Sequence, residues 1–246
     1  MNRRQFLEVG GGVLLAAGSS AAAVQMLMAK RSDPGGKVGG RPGHKWGMVI
    51  DVTKCRPDCR ACLDACKKEN NISQPGDVRW DVHWIRKVTL RERDDEQSVE
   101  KQVVLLCNHC DDPPCAQVCP VQATFKRHDG IVLVDYHRCI GCRYCVIACP
   151  YNARYFNFKE AEEWSNEGYP RRSHGVAEAC NMCAPRLETG RIPACVEACE
   201  RVGASAISVG DTEDPESDIS QLISRTAAKG IREDLGTKPR VRYIGL

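Results

Sequence analysis

The stretch CIGCRYCVIACP, Cys139 to Pro150, decides the fold. Its cysteines follow C-x2-C-x2-C-x3-C and a proline closes the run. Three thiols at such short spacing curl around one corner of a bound inorganic group, with Gly141 letting backbone amides approach the sulfurs. The fourth, Cys149, lies on the helix that follows, and Pro150 ends that helix and turns the chain away. Moving outward, CNHCDDPPCAQVCP (Cys107 to Pro120) widens the middle gap but keeps the C-x3-C-P ending. Further out lie KCRPDCRACLDACKKEN (Lys54 to Asn70), spaced C-x3-C-x2-C-x3-C, and CNMCAPRLETGRIPACVEAC (Cys180 to Cys199). Neither outer run closes with proline, since Lys67 and Glu200 occupy those places. All 16 cysteines of the 246-residue chain fall into these four groups of four.

The central run fits the bacterial-ferredoxin spacing at every position, which points to 4Fe-4S clusters. Structural zinc is the competing reading, but a four-thiolate zinc cage has no reason to demand this order or the trailing proline. Disulfides are the third, and the N-terminus brings them forward. MNRRQFLEVGGGVLLAAGSSAAAVQ pairs Arg3 with Arg4 ahead of a mildly apolar Gly/Ala run, with an A-x-A pattern at Ala21 and Ala23. This reads as a twin-arginine signal peptide over residues 1–23, and exported cysteine-rich chains are normally disulfide scaffolds. Twin-arginine export carries proteins already folded, so clusters can be inserted in the reducing cytosol first. Val9 to Met28 could just span a bilayer as a retained anchor, but its glycines and serines make it a weak candidate. The expected location is periplasmic or extracytoplasmic, peripheral to the membrane through partner subunits and reached through the twin-arginine export machinery.

In two-cluster ferredoxins the cysteine after x3 ligates the other cluster. The rule apportions Cys107, Cys110 and Cys115 with Cys149, and Cys139, Cys142 and Cys145 with Cys119. Applied to the outer pair, it joins Cys55, Cys59 and Cys62 to Cys199, and Cys180, Cys183 and Cys195 to Cys66. The result is four 4Fe-4S clusters in an α+β fold of two bacterial-ferredoxin-like double-cluster modules, one nested within the other in sequence. Residues 101–158 form the inner module, 46–100 with 170–210 the outer one, 24–45 a flexible linker, and 211–246 a C-terminal helix and strand. In the first run Pro57 stiffens the turn that the extra residue widens.

Elsewhere the chain is ordinary. WGMVID (Trp46 to Asp51), VHWIRKVTL (Val82 to Leu90), KQVVLLC (Lys101 to Cys107), GIVLVD (Gly130 to Asp135) and PRVRYIG (Pro239 to Gly245) read as strands or hairpins. SDISQLISRTAAK (Ser217 to Lys229) reads as a capped amphipathic helix. Aromatic content of 6% implies a modest apolar core that needs cross-links or cofactors. Net charge is +3, or +2 without residues 1–23, which carry Arg3, Arg4 and Glu8. An oxidised 4Fe-4S core with four thiolates carries about −2, so four would bring the loaded chain to about −6. No Lys/Arg stripe suits nucleic acid, and Arg171 and Arg172 read as solvated surface. His109 could tune a cluster through a hydrogen bond but reads first as packing. The tryptophans Trp46, Trp80, Trp84 and Trp164 read as anchors. No C-x-x-C-H, G-x-G-x-x-G after a strand, or P-loop is present, and no catalytic residue is expected.

The segments WGMVIDVTKC, CKKENN, LLCNHCDDPPCAQVCPVQATFKR, DGIVLVDYHRCIGCRYCVIACPYNARYFNF, CNMCAPRLETGRIPACVEAC and GTKPRVRYI together resemble the four-cluster iron-sulfur subunits of the dimethyl-sulfoxide-reductase and polysulfide-reductase type. Within that group the chain looks most like the exported iron-sulfur subunit of the Dsr complex of sulfur metabolism. The resemblance implies ligand roles for all 16 cysteines. It also implies electron transfer between a multi-span quinone-reactive membrane subunit and a redox partner, which in that complex includes a multihaem c-type cytochrome. The alternatives are the electron-transfer subunit of a molybdopterin reductase and, in another class, a zinc-stapled interaction protein.

Overall fold

The structure, a computed structural model, describes residues 43–91, 100–160 and 164–246. The expected signal peptide and all but the end of the linker lie outside these residues. Strand β1 (Trp46–Asp51) is buried from Gly47 through Ile50, as suits a strand covered on both faces. It pairs antiparallel with β8 (Ile207–Asp211) and parallel with β10 (Val241–Ile244), which continues to the short β9 (Lys229–Gly230). The register sets Met48 against Val241 and Val209, and Ile50 against Tyr243 and Ile207. These apolar side chains share the largest core cluster.

Beside this sheet, β2 (Ile85–Leu90) pairs antiparallel with β3 (Lys101–Leu106), and the Tyr243 hydroxyl donates to the Val104 carbonyl at 3.1 Å. The expected strand from Val82 begins later, at Ile85. Its first residues are held otherwise: the Val82 amide donates to the Ser73 carbonyl, and the buried Trp84 ring donates to Glu178. Two smaller pairs serve the middle of the chain. One joins β4 (Thr124–Lys126) to β5 (Val132–Val134), and the other joins β6 (Tyr155–Phe156) to β7 (Ala177–Glu178).

The helices are short: α1 (Ala61–Asn70), α2 (Pro114–Gln117), α3 (Tyr144–Ala148), α4 (Ala184–Glu188), α5 (Ala194–Arg201) and α6 (Asp218–Arg225). Ser217 caps α6, its hydroxyl accepting from the Ser220 amide at 3.2 Å. The helix ends at Arg225 rather than Lys229, because Thr226 is extended and Lys229 enters β9. Among the described residues no helix is long and apolar enough to cross a membrane.

Ten cysteines are buried, and most of them pack into the core as apolar side chains do. One expectation fails. Arg172 is buried rather than solvated, its guanidinium lying 5.1, 5.1 and 4.8 Å from the ring centroids of Trp84, Tyr136 and Tyr169. A planar, weakly hydrated cation gains from stacking on ring faces, which makes this interior site tolerable. Arg171 remains exposed.

Candidate metal centres

Helices α1 and α5 explain how the outer runs meet. Cys62 and Cys66 lie one turn apart on α1, and Cys195 and Cys199 one turn apart on α5. The helices pack so that the Cys62 thiol feels Cys199, while that of Cys66 feels Cys195 and Cys180. Each helix therefore contributes one thiol to either of two gatherings.

Cys55, Cys59, Cys62 and Cys199 wall a single cavity with Ile50, Val104 and Ile207. The extra residue of this run forms a turn across Arg56–Cys59, where the Cys59 amide donates to the Arg56 carbonyl at 3.3 Å and Pro57 takes the second position. Lys87 reaches over from β2 and donates to the Arg56 carbonyl, to that of Pro57 at 3.0 Å and to that of Cys59 at 2.9 Å. Burial pushes the Cys55 thiol up, and the nearby Lys87 ammonium is the main opposing influence. Lys87→Met leaves three turn carbonyls without this donor, each such bond being worth about 1 kcal/mol. The expected outcome is faster iron release from this group under an anaerobic chelator, by up to about a hundredfold if the whole loss of about 3 kcal/mol falls on the release barrier. An unchanged release rate would show that the turn holds itself.

Cys66, Cys180, Cys183 and Cys195 form the second gathering, their thiols raising one another. Asn70, on the last turn of α1, points its amide at Cys66 Sγ and Cys183 Sγ, 3.8 and 3.9 Å away. The chain at Met182 and Cys183 is left-handed, with φ of 52° and 50°, and the Met182 amide donates to Cys180 Sγ at 3.3 Å.

The inner runs repeat the exchange through α2 and α3. The Cys110 thiol feels Cys115 and Cys149, and Cys115 feels Cys149. Cys145 feels Cys115, Cys139 and Cys119, and half-buried Cys142 lies in the loop between Cys139 and α3. Cys107 feels Cys115 and Cys110. Gly141 is needed for space as well as conformation: its φ is +70°, and a Cβ there would sit 2.5 Å from the Gly175 carbonyl oxygen.

Several features suit an anionic cluster. Backbone amides of Ala123, Ala177 and Ala206 donate to the sulfurs of Cys119, Cys139 and Cys199 at 3.2, 3.5 and 3.2 Å. The buried guanidinium of Arg154 donates to Cys115 Sγ at 3.2 Å. His109 is fully buried, with its Nδ1 accepting from the Val132 amide at 3.1 Å. Burial first, then Arg154 and Arg240, hold its pKa down to about 3. The neutral ring then carries its proton on Nε2, which has no acceptor in the protein, and Arg154 Nε is likewise without one. These orphaned donors beside the Cys107–Cys115 run fit the sulfides of a bound 4Fe-4S group. All 16 cysteines are free thiols. Among the described residues no three His, Cys, Asp or Glu side chains converge on a single-ion site.

The roles of Asn70, Lys87, Arg154 and the buried Arg172 are not readable from the sequence, because each depends on what folds against that residue.

Residues 101–211 match the 4Fe-4S dicluster domain family, a span that holds three of the four cysteine runs. The chain is 39% identical to the Hdr-like menaquinol oxidoreductase iron-sulfur subunit 1 of Archaeoglobus fulgidus, over 100% of this chain and 98% of that protein. It is 41% identical to a tetrathionate reductase subunit of Salmonella typhimurium, over 100% and 88%. It is 37% identical to the menaquinone reductase iron-sulfur cluster-binding subunit of Nitratidesulfovibrio vulgaris, over 81% and 88%. Gathered thiols, amide-to-sulfur bonds and full-length similarity agree: the chain belongs to the 4Fe-4S family of iron-sulfur electron-transfer subunits of reductases and menaquinol oxidoreductases.

Proposed function

We propose that this chain is an exported electron-transfer subunit holding four 4Fe-4S clusters. It carries electrons between a multi-span quinone-reactive membrane subunit and a redox partner such as a multihaem cytochrome, in a complex of the Dsr type in dissimilatory sulfur metabolism. The ligand sets are Cys55, Cys59, Cys62 with Cys199; Cys180, Cys183, Cys195 with Cys66; Cys107, Cys110, Cys115 with Cys149; and Cys139, Cys142, Cys145 with Cys119. The reading rests chiefly on one observation: paired helices offer thiols one turn apart to neighbouring gatherings, as reciprocal ligation requires.

When bound, each cluster supplies a one-electron redox centre. The residues supply the rest. Buried thiols exclude water, amides and Asn70 hold the sulfurs, and Arg154 balances negative charge. Twin arginines at Arg3 and Arg4 support export with the fold complete, and periplasmic attachment then falls to partner subunits. The modules are an inner one over residues 101–158 and an outer one over 46–100 and 170–210.

A second reading, the electron-transfer subunit of a molybdopterin reductase, is favoured by the similarity to the tetrathionate reductase subunit. Anaerobic purification with native partners separates the two. The expected product is brown, with about 16 iron and about 16 labile sulfide per chain, and co-purifies with haem and a multi-span membrane protein. A pterin-bearing partner would favour the second reading, and a colourless zinc protein would overturn both.

A further inference from the structure

Arg154 stands just ahead of β6 and is 3% exposed. The other buried arginines all have a carboxylate at hand. Arg127 pairs with Asp129 and Glu188, Arg186 with Glu69 and Glu197, and Arg172 lies in the field of Glu178. For Arg154 no carboxylate partner is found among the described residues. Its guanidinium donates to Cys115 Sγ at 3.2 Å and to the Thr124 hydroxyl at 3.4 Å, and Nε has no partner in the protein. A buried cation without a countercharge is strongly disfavoured. The ionisable groups that act on it are thiols: Cys115 at hydrogen-bond distance, then Cys107, Cys145 and Cys149 in its field.

These four thiols come from both inner runs. On the ligand sets proposed above, Cys107, Cys115 and Cys149 serve one cluster and Cys145 the other. We infer that Arg154 is a positioning residue shared by the two inner clusters, a fixed positive charge that raises both of their reduction potentials together. The sign follows from Coulomb's law: an electron added to either centre is stabilised by a nearby cation, more so in a dry interior. Donation to the Cys115 sulfur acts in the same direction, since hydrogen bonds to cluster sulfurs are a recognised determinant of potential. Among the described residues the outer sets show no cation shared in this way: Lys87 acts on Cys55 of one set while bonding the carbonyls of its turn, and Arg186 is already paired with two carboxylates.

This inference rests on the four-cluster reading, and the test keeps the two apart. The loaded complex is titrated anaerobically while cluster signals are followed by electron paramagnetic resonance, for the unmutated chain, Arg154→Gln and Arg154→Lys. In Arg154→Gln, with iron unchanged, two potentials are expected to fall and two to hold, and Arg154→Lys is expected to recover much of the fall. Should Arg154→Gln fail to load, Thr124→Asp supplies the same evidence, because a carboxylate beside the guanidinium cancels its charge while leaving it in place. Four unmoved potentials, a fall in one alone, or an equal fall in all four would each overturn the shared role. An unmutated chain well short of about 16 iron would instead overturn the four-cluster reading, and this inference with it.

Discussion

Stripping the iron with an anaerobic chelator is expected to abolish the cooperative thermal unfolding of residues 43–246, not merely to lower its midpoint. Ten buried cysteines stand where a typical domain would place leucine or phenylalanine. Helices α1 and α5 pack with Cys62 in the field of Cys199 and Cys66 in that of Cys195, so losing what those thiols bind removes a link between the two helices. A typical domain is stable by about 5–15 kcal/mol. Structural metal in small sites supplies about 10–16 kcal/mol, enough to consume that margin when removed. Circular dichroism and limited proteolysis, with and without chelator, check the outcome. A chelated protein melting within about 5 °C of the loaded one, a shift of roughly 1–2 kcal/mol for a chain of this length, would show that the polypeptide holds itself together.

Loading should also depend on pH in a stated direction. Burial, with neighbouring thiols adding to it, pushes Cys62 up to about 12. Burial pushes Cys107 up to about 12 as well, against Arg154. Without iron both are therefore protonated at neutral pH, as thiols of an unfolded chain also are, and each gives up its proton on binding iron. Loading weakens as pH falls, by about tenfold per unit for each proton released.

The second large effect is a crossed one. Cys119→Ala should remove about a quarter of the iron, roughly four atoms of about sixteen, and the lost signal should be the one that Cys139→Ala removes. Cys149→Ala should match Cys110→Ala instead. The argument behind this is the spacing rule, together with the packing of α2 against α3 that brings Cys119 into the field of Cys145 and Cys149 into that of Cys110. If Cys119→Ala and Cys110→Ala extinguished the same signal, each run would hold its own cluster and the exchange would be wrong.

Much of this was legible because the signal is local. Cysteine spacing is a property of a dozen residues, and β1, β3 and β5 announce themselves by apolar runs beside the cysteine groups. Composition extends α6 to Lys229 because Ala227 and Ala228 suit a helix, while pairing of Lys229 with Tyr243 pulls the backbone straight. The β6–β7 pair is two residues long on each side, too short for any periodic pattern. Arg172 looked like surface because its neighbour Arg171 is surface. What buries it is a box of Trp84, Tyr136 and Tyr169, of which only Tyr169 is close in sequence. Arg154 was invisible for the same reason, since its countercharge belongs to groups that the fold must first assemble.

The parallel pairing of β10 with β1 has a kinetic consequence. Met48 and Ile50 lie against Val241 and Tyr243, almost the whole described chain apart, whereas α2 and α3 can meet within a few dozen residues. During synthesis the inner runs emerge together and can close early. The central sheet must wait, with one flank of β1 open, until residues 241–244 have left the ribosome. Contacts of such long sequence separation form slowly, and an open strand flank invites pairing with other chains. Closure of the central sheet thus cannot precede synthesis of residues 241–244, and aggregation is a hazard concentrated in the interval before that strand docks.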